Sequence, residues 1–432
     1  MATTEPDPFP TQWTYSLVKN FSREGVEAAW ARGSPQPWSA ADSVISSSEG
    51  ARFNRIAVSP DGKYLAAGNA DAVKIFEIHD NGARERFSFP PQLGAGTLNH
   101  LEWANDDDDS DEGQNNTLVI SIATVQPGMK REARVGVYAF SDNLTSIRLV
   151  QKWNCFSWPL RSLKMLDTSG RRLLVLPLPE AEASTTGGGG NLEIWSWRQQ
   201  TRLHSLDVRS DDISWLSFSP NGQLVAVAGK DRILRIFDVV SGNMRSFTGV
   251  LKGSQINGGA FSPDGNLIAC SCSAFGADAA AVQIFDLDGQ NLHNLPFQPM
   301  TRSLAWSPDG KMLAYGAQGG YLDVSVVAQD PSTTVTTVQS WHLDYPGIRP
   351  SPLNEPAAIQ FVDAGTKLLF ATGMEGGVEM YDFDSNLKYR FEPDDGQSEF
   401  QLGTMRSLIA WSQHWKTVVC LDGDGCIRFW KI

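Results

Sequence analysis

The stretch Ala260–Cys272, AFSPDGNLIACSC, followed by VQIFDL from Val282 to Leu287, decides the architecture. Pro263 presets φ for the second position of a type I turn, Asp264 suits the third and Gly265 the fourth, so the segment reads as two strands joined by a tight turn. The same punctuation stands at Ser59–Gly62, at Ser219–Gly222 with Asn221 in place of Asp, and at Ser307–Gly310, each time between strand-like runs. A third run follows about a dozen residues later, and its copies align as VKIFEI from Val73, VGVYAF from Val135, LEIWSW from Leu192, LRIFDV from Leu234, VQIFDL from Val282, LDVSVV from Leu322, VEMYDF from Val378 and IRFWKI from Ile427. In an extended chain the first and third positions share one face and the fourth and sixth the other. Both faces are apolar, so each sheet is expected to lie between two others. The mean spacing of about 51 residues suits one four-stranded sheet per repeat.

This register resembles that of the WD-repeat β-propellers, whose third strand ends in Trp-Asp. The corresponding pairs are Phe237-Asp238, Phe285-Asp286, Tyr381-Asp382, Phe76-Glu77 and Trp430-Lys431, and the resemblance covers roughly residues 50 to 432. No Gly-His pair precedes the innermost strands, so the family's His-to-Asp hydrogen-bonded tetrad is expected to be incomplete, although Asp71, Asp231, Asp278 and Asp424 occupy the turn position it uses. The expected fold is all-β, a single WD-repeat-like propeller of eight blades. Seven is the alternative if the row at Val135 or at Leu322, where Ser325 replaces the aromatic, ornaments a neighbour.

The last row ends at Ile432, so its sheet lacks a fourth strand from downstream sequence, and an open edge would leave backbone groups unpaired. Trp13–Val18 alternates well enough to serve and is expected to pair with Ile427–Trp430. Ser22–Ala31 reads as a short capped helix. Residues 1–50 thus comprise closing strand, helix and linker, and residues 51–432 the propeller.

Composition narrows the function. The 432 residues carry a net charge of −13, six of those charges in Asp106–Glu112, which argues against bulk electrostatic binding of nucleic acid. No run of apolar residues is long enough to span a bilayer, and MATTEPDPFPTQW shows neither the basic start nor the apolar run of a secretory signal. Five cysteines do not make a disulfide framework and fit reduced thiols in a cytoplasmic or nuclear protein. The six histidines lack paired ligand spacing, and no metal site or cofactor is expected. Nor does any serine sit in a nucleophile elbow.

Function in such a fold concentrates at loop ends and the channel mouth. The register puts Asn54, Asn99, Arg161, Ser214, Asn257, Arg302, Ala357 and Ser407 at the starts of the innermost strands. These polar residues either receive a partner segment or brace the backbones of neighbouring blades; Arg161 and Arg302 are the strongest candidates for recognition. The long connection before Ala357 adds Trp341, Tyr345 and Arg349, residue types enriched in binding hot spots. Asp106, Asp107, Asp108, Asp109, Asp111 and Glu112 form an acidic loop on the opposite face, suited to solvent, to a basic partner or to modification at Ser110. The reading is a non-catalytic protein-interaction scaffold whose partners are other proteins. A reader of phosphorylated peptide or nucleic acid through the mouth arginines is the alternative, and a propeller enzyme is less favoured.

Overall fold

A computed structural model describes residues 28–46, 52–104, 117–125, 131–141, 144, 146–156, 173–177, 190–197, 199–210, 213–229, 231–248, 254–274, 280–296, 301–317, 321–327, 336–342, 357–371, 377–392, 394, 408–422 and 424–432. Their strands pair into eight sheets. Seven have four or more strands and are complete blades, the number given by the alternative reading, and the third sheet has three described strands within 173–210. Both doubted rows are the third strand of a four-stranded sheet: Arg131–Phe140 in the second and Tyr321–Val326 in the sixth. Ser325 is fully buried there, and its hydroxyl lies 3.4 Å from that of Tyr315, whose ring supplies bulk from the next strand.

Eight apolar clusters fill the spaces between successive sheets and return from the last to the first. Leu234 and Ile236 pack toward the fifth sheet, whereas Phe237 and Val239 pack toward the third. Ile427 and Phe429 face the first sheet, and Trp430 faces the seventh. Two-sided apolar strands thus become a circular stack, the β-propeller arrangement, with innermost strands neighbouring one another around the axis.

The repeated turn has one internal wiring. The buried Ser262 hydroxyl donates to Asp264 at 2.5 Å and accepts the Leu267 N–H at 2.9 Å, while the Gly265 N–H donates to the Ser262 carbonyl. Ser59, Ser219 and Ser307 repeat this arrangement with Asp61, Asn221 and Asp309. Gly62 has φ 73°, and a Cβ there would come within 2.9 Å of the His414 backbone nitrogen, so close docking of the first sheet's turn on the eighth requires glycine.

Closure uses the N-terminal region, but a different segment from the one expected. Ser43–Ile45 runs antiparallel to the last strand, with Ser43 opposite Phe429 and Ile45 opposite Ile427, and so occupies the edge assigned to Trp13–Val18, which lies outside the described residues. Three residues are too few for alternation to mark them as a strand. Nor does the end of the expected helix form: Ala29–Trp30 is extended and pairs in parallel with Leu387–Lys388, while Gln36–Pro37 pairs with Phe391–Glu392. Backbone bonds to a free sheet edge outweigh a marginal helix propensity here. Trp38 is buried in the cluster between the seventh and eighth sheets, and the Arg428 guanidinium stacks over its ring at 4.1 Å.

Beneath this N-terminal segment the seventh sheet buries charge. Glu379 is 1% exposed and stands opposite buried Arg390, which pairs with Glu392 at 2.5 Å, and Lys388 is buried beside them. Burial pushes the Glu379 carboxyl up to about 8, with Glu392 adding to the shift and Lys388 opposing it.

Two predictions follow from these contacts. Trp38→Ala should lower the unfolding free energy by about 3–5 kcal/mol in urea titrations, with Trp38→Phe losing much less. For Glu379 the folded pKa lies above the unfolded value of 4.5, so its stabilising contribution is complete below that value and is lost as pH rises toward about 8. Urea midpoints taken from pH 5 to pH 8 should therefore fall more steeply for the wild type than for Glu379→Gln, by up to ~1.4 kcal/mol per pH unit.

Candidate functional site

The starts of the innermost strands share a backbone irregularity that alternation alone does not reveal. Pairing skips from Leu98 to His100, from Ile213 to Trp215, from Ile256 to Gly258 and from Thr301 to Ser303, leaving Asn99, Ser214, Asn257 and Arg302 as bulged residues. A similar shift lies between Ala357 and Gln360. A bulge bends the strand and redirects one side chain, and here it recurs at the same level around the axis. Asn54 sits just before the first sheet's innermost strand, Arg55–Val58. Arg161, Ser407, Tyr345, Arg349 and the acidic loop Asp106–Glu112 lie outside the described residues, and Arg302 is described only by its place on the strand Thr301–Trp306.

Several of these side chains bind the neighbouring sheet. The Ser214 hydroxyl donates to the Ile256 carbonyl at 2.5 Å, and the Asn257 amide donates to the Thr301 carbonyl at 3.3 Å. Arg55, a residue the register did not single out, spans the first two sheets by donating to the Asn54 carbonyl at 2.6 Å and the Asn99 carbonyl at 3.0 Å. Burial lowers its pKa. Two tryptophans repeat the bracing farther along the same strands: the Trp103 indole donates to the Ala57 carbonyl and the Trp306 indole to the Ala260 carbonyl. The side-chain oxygens of Asn54 and Asn99, by contrast, are buried and accept no hydrogen bond among the described residues. A buried acceptor of this kind costs stability unless a donor reaches it.

The turn aspartates have taken other partners. Asp231 pairs with Arg235 at 2.6 Å and Asp424 with Arg428 at 2.5 Å, each four residues on and inside the third strand. This Asp-x-x-x-Arg spacing was visible in the chain and marks where a carboxylate–guanidinium pair stands in place of a His-to-Asp link. Asp71 is exposed, and Asp278 lies outside the described residues. Cys270 and Cys272 are buried on one face of their strand, Cys420 stands opposite Arg428, and these three and Cys426 are free thiols, which agrees with reduced cysteines. Among the described residues no three His, Cys, Asp or Glu side chains gather as they would to hold a metal ion. None of the described helices is long and apolar enough to cross a membrane.

Comparison with known proteins agrees with this architecture. Residues 200–238 match the WD domain, G-beta repeat family, and residues 252–326 match the prolyl oligopeptidase N-terminal β-propeller domain, which is the propeller of those proteins rather than their catalytic part. No curated protein is matched by sequence. Among solved structures, Chaetomium thermophilum Sqt1 bound to the N-terminus of ribosomal protein L10 is similar at TM-score 0.62 and 18% identity, over 91% of this chain and 100% of that one. A second Sqt1 structure from the same organism gives TM-score 0.60 at 16% identity, over 91% of this chain and 98% of that one. The repeat at 200–238 and the propeller fold thus agree with the resemblance to the WD-repeat β-propellers that the register of turns and strands carries.

Proposed function

We propose that this protein is a non-catalytic interaction platform of a cytoplasmic or nuclear multiprotein complex, and that its channel mouth receives an extended segment of a partner protein. The observation that carries this reading is the ring of bulged positions at Asn99, Ser214, Asn257 and Arg302, which turns these side chains out of the ordinary pleat at one level of the innermost strands. Bracing by Arg55, Ser214 and Asn257 keeps the mouth rigid, which lowers the ordering cost of binding. Arg302 at a bulge, with Arg161, Tyr345 and Arg349 on sequence grounds, would supply recognition. Sqt1, similar in fold, was crystallised with a terminal segment of another protein, so a chain terminus or loop is the ligand class proposed.

The test is affinity purification from native extract with mass spectrometry, comparing wild type with Arg161→Ala/Arg302→Ala/Arg349→Ala after matching their unfolding temperatures. A stoichiometric protein partner is expected with the wild type and should be lost from the variant. Partners that survive in full would move the site away from the mouth. A phosphopeptide or nucleic-acid ligand would instead show affinity falling steeply with added salt.

A further inference from the structure

The outer edge of the fourth sheet combines features that the channel-mouth reading does not use. Among the described residues the exposed large hydrophobics are Val44, Leu203, Val240, Met244 and Phe247, and three of these fall within eight residues. Val240 is 72% exposed, Met244 48% and Phe247 59%. Among the described strands Met244–Phe247 is the outermost of its sheet and pairs only with Leu234–Asp238. Met244 stands opposite Phe237 and Phe247 opposite Arg235, so both side chains lie on the face turned toward the third sheet. From that sheet His204 donates to the Val240 carbonyl at 2.9 Å and holds the preceding turn in place. On the other face the Ser246 hydroxyl donates to the Leu287 carbonyl at 2.7 Å, so the strand is fixed from both sides.

Charge around this patch is mostly of one sign. Asp238 and Asp286 are held by N–H groups of their own turns, from Ser241 at 2.7 Å and from Gln290 at 2.8 Å, and Asp288 is 75% exposed. The cations beside it are Arg245, 3.9 Å from Asp288, and Arg235, which is buried and paired with Asp231 at 2.6 Å. Apolar side chains on a free strand edge, bordered by carboxylates, match a ligand that alternates apolar and basic residues. The molecule already caps one edge with an extended segment, since Ala29–Trp30 and Gln36–Pro37 add to the seventh sheet.

We propose that the rim formed by Val240, Met244 and Phe247 is a second docking surface, which takes an extended segment of a partner protein carrying basic residues between large apolar ones, added along the free edge of Met244–Phe247. This surface is independent of the channel mouth, because none of its residues lies at the innermost strands.

The probe is a capped heptapeptide, KVKFKLK, with EVEFELE as its counterpart of reversed charge, followed by hydrogen exchange and fluorescence titration on the full chain. The basic peptide should protect the amides of 244–247 at moderate salt, and the acidic peptide should not. Met244→Ser/Phe247→Ser should weaken binding at least about tenfold, and Val240→Ser, at a side chain that is mostly exposed, should act in the same direction with little effect on the fold. Asp238→Asn/Asp288→Asn should narrow the gap between the two peptides. Absence of protection at millimolar peptide, equal binding of both peptides, or protection at the channel mouth alone would overturn the proposal. A wild-type dimer that Phe247→Ser converts to monomer would also overturn it, by making a second copy the occupant.

Discussion

Every sheet of this protein is apolar on both faces, and the rest of the structure answers that constraint. A strand such as Leu234–Asp238 buries Ile236 against the next sheet and Phe237 against the previous one, so no sheet can stand at an end of the stack. The only arrangement without an exposed apolar face is a closed circle. Closure explains why the chain returns its N-terminal region to its last sheet. It also explains why Trp38 sits between the seventh and eighth sheets, where the ring would otherwise part. The hydrophobic effect sets this topology, and the edge hydrogen bonds of Ser43–Ile45 fix its register.

Within that circle two polar devices give the sheets fixed relative positions. At one end, each turn serine is buried and shared between a turn carboxylate or amide and a strand N–H, so the hairpin is wired independently of its neighbours. At the other end, bulged residues reach sideways to the next sheet's backbone. The bulge makes the second device possible, because an ordinary pleat would send the same side chain into an inter-sheet core. Sites built on such braced positions are pre-organised, and a partner segment meets a surface that has little left to order.

The seventh sheet departs from this economy. Glu379, Lys388 and Arg390 are buried together, at the desolvation cost that buried charge carries, and the N-terminal segment lies along the same strand. The Lys388 ammonium sits 4.5 Å from the centroid of the Trp30 ring, and the Ser34 hydroxyl accepts the Arg390 N–H at 2.8 Å. Charge buried at this edge couples the segment's docking to the electrostatics of the sheet beneath it.

The hairpins, the two-sided strands and the need for an N-terminal closing strand were all legible in the chain, because turn chemistry and strand period are local properties. SPDG at Ser262–Gly265 predicts its own hydrogen bonds, and LRIFDV predicts which residues face which way. The Asp231–Arg235 and Asp424–Arg428 pairs were not anticipated, because the register reads the two aspartates as turn residues of a tetrad and leaves their arginines four residues on out of account. Which residues close the ring was not legible either, since Ser43–Ile45 is a strand only because the last sheet presents it an edge. Nor was the role of Arg55, or of the bulges at Asn99, Ser214 and Asn257, whose side-chain directions depend on how far each innermost strand slips against its neighbour. Local sequence set the strands, their turns and their two apolar faces. Only the packing of whole sheets around one axis decided the closing segment, the bracing of the mouth and the apolar rim left uncovered beside Phe247, because each depends on backbone groups hundreds of residues away or one sheet over.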